Sequence, residues 1–180
     1  LDLLEMGLLP PLQGIYRDDL MLNRDLWRRF KSHHFYRELD IEVVLLSHAH
    51  LDHSGYISFL REDIPIYTTL MTAFIAKAIQ DSGKSDFEKE VCYSVPREEQ
   101  GRLITASNWK KYPSVQRQFC LADCAGVSPE AENFWKTPLG GRQLDCRQLA
   151  SAAQIGNLAF RCFPVDHSIY GAAAYAVETS

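Results

Sequence analysis

A chain of 180 residues with 46% hydrophobic and 23% charged composition suits one soluble globular domain and excludes disordered, collagen-like and coiled-coil readings. Its formal net charge of −4 advertises no polyanionic partner, although a local basic groove stays open. No apolar run approaches the roughly 20 residues that span a bilayer, so we expect no membrane partner.

In chain order, Leu1-Asp2-Leu3-Leu4-Glu5 lacks the basic start and small-residue cleavage site of a signal peptide. Pro10-Pro11-Leu12-Gln13-Gly14 is turn chemistry, and Asp18 to Lys31 places Leu20, Leu22, Leu26, Trp27 and Phe30 on one helical stripe. Ile41 to Leu46 is a short, nearly continuous apolar run, the pattern of a strand buried on both faces. It ends at a histidine cluster. Gly55 to Leu60 reads as one or two helical turns, Ile64 to Thr68 as a strand and Thr69 to Gln80 as a helix. Strand, loop, helix, strand, helix is α/β order.

From Lys84 to about Ser151 the periodicity weakens, broken by Pro96, Pro113, Pro129, Pro138 and Gly140-Gly141, and we read this stretch as an insertion. Within it, Ser128-Pro129-Glu130 has the look of a capped helix start. Strands return at Leu158–Phe163 and Ala173–Val177, with a turn at Gly171 and His167 between them. The five cysteines, Cys92, Cys120, Cys124, Cys146 and Cys162, are odd in number and unevenly spaced, which favours free thiols and a reducing compartment, the cytoplasm.

Chemistry concentrates in Ser47-His48-Ala49-His50-Leu51-Asp52-His53. Imidazole nitrogens and a carboxylate oxygen are ligands zinc prefers, and alternate residues leaving a strand project to one side, so His48 and His50 can share a metal. Asp52 and His53 would face a second one. Two metals roughly 3.5–4 Å apart suit hydrolysis. His33 and His34 sit beside Arg28, Arg29, Lys31 and Arg37 at a predicted helix end, where a solvated cationic face is the better reading. Trp109-Lys110-Lys111-Tyr112 with Arg117 offers the basic and aromatic mixture that single strands favour.

The segment His48-Ala49-His50-Leu51-Asp52-His53 resembles the His-x-His-x-Asp-His motif of the metallo-β-lactamase superfamily. His167-Ser168-Ile169-Tyr170-Gly171 and the Gly55–Leu60, Ile64–Tyr67 layout are similar to the ribonuclease J-like and cleavage-factor-like (β-CASP-type) nucleases, with Tyr170 in place of a usual proline. The resemblance covers about Ile41 to Thr68 and Leu158 to Val177. It implies an α/β fold, the αββα sandwich, of which residues 1–180 would supply the N-terminal half to two-thirds as one partial domain. It also implies that His48, His50 and His167 hold one metal, Asp52 and His53 a second, and that Asp52 orients the nucleophilic water. Zinc is the expected ion, with manganese or iron as substitutes.

The implied activity is hydrolysis by a zinc-activated hydroxide, with RNA or single-stranded nucleic acid as the first substrate class. An ester, thioester, lactone or β-lactam is the alternative, and a non-catalytic fragment the second alternative. The superfamily's opening Asp-x-Gly turn, bridging aspartate and final histidine have no counterparts here, so we expect a truncated chain with reduced activity. Exposed strand edges of a partial sandwich lead us to expect a homodimer.

Overall fold

The computed structural model describes residues 2–21, 25–83 and 86–179. Three strands build the frame of a parallel sheet, and each is short. Strand β1 (Val44–Leu45) leads into helix α1 (Leu51–Ser54), which runs on as a 3-10 segment at Gly55–Phe59. Strand β2 (Ile66–Thr68) feeds helix α2 (Leu70–Asp81), and strand β3 (Phe119–Leu121) is followed by helix α3 (Pro129–Lys136). With β4 (Ala150–Ser151) these strands form one sheet, all neighbours parallel, in the order β4-β3-β2-β1. Strands β5 (Gln154–Ile155), β6 (Leu158–Pro164) and β7 (Ala173–Thr179) form a second, antiparallel sheet.

The period of two along a strand sorts side chains to the two faces of the parallel sheet. Ile66, Phe119 and Leu121 turn to one face and pack with Ala73 and Ala76 of α2 and Trp135 of α3. Tyr67 and Cys120 turn to the other and meet Phe160 and Tyr175 of the second sheet. The Tyr67 ring lies 4.6 Å from Phe160 and 5.5 Å from Tyr175, centroid to centroid. The layer order is therefore helix, parallel sheet, antiparallel sheet.

Both longer helices start where their caps place them. Thr69 Oγ1 accepts the Thr72 amide at 3.2 Å, and Ser128 Oγ accepts that of Ala131 at 3.3 Å with Pro129 behind the cap. Helix α2 is further tied by Lys77, whose buried ammonium contacts Asp81 at 2.5 Å and donates to Thr137 O at 2.9 Å.

Three elements differ from the sequence pattern. The 41–46 run is an edge strand, not one buried on both faces: Leu45 is 36% exposed, while Leu46 is buried and its amide extends the pairing by donating to Tyr67 O at 3.0 Å. The stripe at 18–31 resolves into a 3-10 turn, Asp18–Leu20, and a short helix, Leu26–Phe30. Leu22 lies outside the described residues. The stretch 84–151, of which 84 and 85 are also outside them, supplies β3, an interior strand of the sheet. It also supplies the edge strand β4, and its remaining strands form a small three-stranded sheet and the Arg97–Gln100/Leu103–Ala106 hairpin.

Phe160 and Phe163 lie on opposite faces of β6, the first 7% and the second 47% exposed. We predict that Phe160→Ala costs about 3–5 kcal/mol in denaturant unfolding, whereas Phe163→Ala stays within about 0.5 kcal/mol. Equal losses would contradict the inter-sheet packing.

Candidate metal centre

Leaving β1, the chain turns at Ser47 and places His48 inside, 6% exposed. His50 caps α1 with extended backbone, and its carbonyl accepts the amides of His53 at 3.0 Å and Ser54 at 2.9 Å. His167 comes from the turn between β6 and β7, 119 residues after His48, and is exposed. The three meet: one ring nitrogen from each of His48, His50 and His167 lies within 4.8 Å of the others.

Their geometry fits one ion. Nε2 of His48 and Nε2 of His167 are 3.2 Å apart, and two imidazole nitrogens on a tetrahedral zinc at about 2.0–2.1 Å sit roughly 3.3 Å apart. The far side of the His48 ring is held by Ser47, with Nδ1 and Oγ 2.9 Å apart. A proton on Nδ1 donated to that oxygen leaves the Nε2 lone pair aimed at the cluster, the usual work of an outer hydrogen bond on a metal-ligating histidine. Burial lowers the His48 pKa below its ordinary value, reinforced by the neighbouring His53, His167 and His50 and opposed by Asp52. The neutral ring that a metal requires is thereby favoured.

Asp52 and His53 are not drawn into the same cluster. They face each other, Oδ2 to Nε2 at 3.6 Å, with side chains 79% and 51% exposed. The His53 ring still lies 4.2 Å from that of His48, so the pair flanks the three nitrogens rather than joining them.

Hydroxyl groups that the sequence pattern does not single out hold the two halves together. Thr68 Oγ1 and the Tyr175 hydroxyl both donate to Leu46 O, at 2.7 and 3.0 Å, and Ala173 N donates to Ser47 O at 3.0 Å. Thr69 Oγ1 and Thr72 Oγ1 both donate to Gly171 O, at 2.7 and 2.9 Å. Gly171 has φ +82°, and an added Cβ would stand 2.7 Å from Met71 Cβ and 2.8 Å from Thr72 N. Only glycine lets the His167 turn come this close to α2.

The other candidates disperse. Arg117 is fully buried and donates to Leu60 O and Arg61 O at 2.7 Å each, so it does not join the Trp109–Tyr112 loop as a surface cation. Burial pulls its guanidinium down to about 10. Lys110 and Lys111 lie over Trp109 and Tyr112 in that loop. Arg28 pairs with Asp25 and Arg29 with Glu5, as a solvated cationic face would. All five cysteines are free, and Cys120 and Cys124 belong to no metal-binding group among the described residues.

No protein-family model matches the chain, and no curated protein matches it. Among solved structures it is similar to a crystal structure of a protein of unknown function from Enterococcus faecalis, at 23% identity and a TM-score of 0.49. That likeness covers 97% of this chain and 29% of the other, so the chain spans under a third of that protein's length. No helix among the described residues is long and apolar enough to cross a membrane.

Two substitutions test the scaffold of the site. Ser47→Ala should weaken zinc binding about 10-fold to 100-fold with little change in fold. Gly171→Ala should displace the His167 turn, lowering zinc affinity at least as far. Isothermal titration with zinc reads both, and unchanged affinity in Gly171→Ala would refute the role given to that turn.

Proposed function

We propose that this chain carries the metal-binding part of a metal-dependent hydrolase of the metallo-β-lactamase fold, cleaving phosphodiesters of RNA or single-stranded nucleic acid in the cytoplasm. One observation carries the reading. Three imidazoles from segments 119 residues apart converge with two nitrogens at 3.2 Å, a spacing suited to one shared zinc. The helix, sheet, sheet layering supports the fold assignment, and the free cysteines support the compartment. The order His-x-His-x-Asp-His after a strand turns a generic metal site toward this family, and the His167-Ser168-Ile169 segment turns it toward nucleases.

A zinc ion held by His48, His50 and His167 would supply Lewis acidity and a water acidified to about pKa 7. The chain's own residues do the rest. Ser47 fixes the His48 ring, so the lone pair is set before the ion arrives and costs little reorganisation. The Asp52 carboxylate, exposed and next in the chain to His53, would accept a proton from the attacking water and orient it. Asp52 and His53 together are the proposed ligands of a second ion, and their present pairing would open to take it.

Elemental analysis of purified protein reads the proposal directly. We expect near one or two zinc, manganese or iron ions per chain, with His50→Ala and His167→Ala each losing metal and cleavage of single-stranded RNA together. Asp52→Asn should keep the first ion and lose cleavage by about 100-fold or more. Protein that takes up no metal after reconstitution would refute the proposal, as would equal cleavage by His167→Ala.

A further inference from the structure

A cavity of about 420 Å³ is lined by Leu51 and Asp52, which lie in the chain between His50 and His53 and so border the histidine cluster. Its walls include Leu8, Leu9 and Leu51, with Phe59 and Tyr56. Phe59 is 8% exposed and is held by Phe87, ring to ring at 4.6 Å. Tyr56 is 63% exposed, its ring 6.0 Å from that of Phe59 and tilted by 33°. With that much of the ring exposed at the rim of an apolar hollow, Tyr56 offers a face on which a flat ligand can stack. The charged lining is acidic: Asp52 and Glu88, with no lysine, arginine or histidine among the described residues that line it.

That charge pattern disfavours a phosphate in the cavity, because two carboxylates and no cation line it among the described residues. A flat, neutral ring with hydrogen-bond donors meets both requirements, stacking on Tyr56 while a carboxylate accepts from its amine. Such carboxylates accept from the exocyclic amine of cytosine, and unstacked bases commonly lie on aromatic side chains. We propose that this cavity is a base-binding subsite that takes an amino-bearing nucleobase, cytosine or adenine, splayed from a single strand whose phosphodiester lies at the histidines. The inference rests on the nuclease reading and adds a base preference to it.

The test titrates cytidine, adenosine and uridine into metal-free and zinc-loaded protein by ligand-observed NMR. Tyr56→Ala removes the stacking face, and Leu8→Trp fills the cavity from a position 58% exposed, so both should fold. Cytidine and adenosine should bind, uridine more weakly for want of the amine, and each variant should weaken cytidine about tenfold while zinc stoichiometry holds. No saturable nucleoside binding would overturn the subsite, and so would binding untouched by both variants or uridine equal to cytidine. Cytidine binding without zinc uptake would leave the subsite standing and remove the nuclease reading. Zinc uptake without cytidine binding would do the reverse.

Discussion

Two backbone carbonyls, those of Leu46 and Gly171, hold together the segments that carry the histidines. Each accepts two side-chain hydroxyls: Thr68 and Tyr175 at Leu46, Thr69 and Thr72 at Gly171. A single such bond contributes about 0.5–1.5 kcal/mol net, but leaving a buried carbonyl without a partner costs about 1–3 kcal/mol. The loss side of that asymmetry is what fixes position. If the β6–β7 turn shifted from α2, Gly171 O would lose two donors together, and His167 would leave the 3.2 Å contact with His48.

That latch works only if α2 itself cannot rotate. The fully buried Lys77 and its Asp81 partner, with the Tyr93 hydroxyl on the same carboxylate at 2.6 Å, pin the middle and end of the helix. Burying such a pair costs desolvation that its attraction only partly returns, so its effect is orientation more than net stability. A second buried network surrounds Arg17, which reaches Asp19, Glu62 and Glu90 and ties the N-terminal segment to the loops around residues 62 and 90. Apolar packing sets the layers, and these ions set how the layers are turned.

The candidate site was legible in the sequence to the extent that it is local. Three histidines and an aspartate within six residues stand out whatever the fold, and the strand before them explains why His48 and His50 project together. His167 was legible through its place after a strand and through the His167-Ser168-Ile169 segment that follows it, since a lone histidine carries little information by itself. The hydroxyls of Thr69, Thr72 and Tyr175 were not legible, because a threonine's partner is decided by which distant carbonyl arrives beside it. Arg117 read as a surface cation for the same reason: the carbonyls of Leu60 and Arg61 that permit its burial come from 57 and 56 residues away. In the fold, the cap at Ser128 announced its helix. Three-residue β3 is too short for periodicity to announce, so an interior strand hid inside an irregular stretch.

The most direct test of the central claim is long-range proton–nitrogen NMR of the imidazoles during zinc titration. The account predicts that Nε2 of His48 and of His167 become metal-bound together at one equivalent, with the proton of His48 retained on Nδ1 toward Ser47. Zinc bound with either Nε2 unmoved would contradict it.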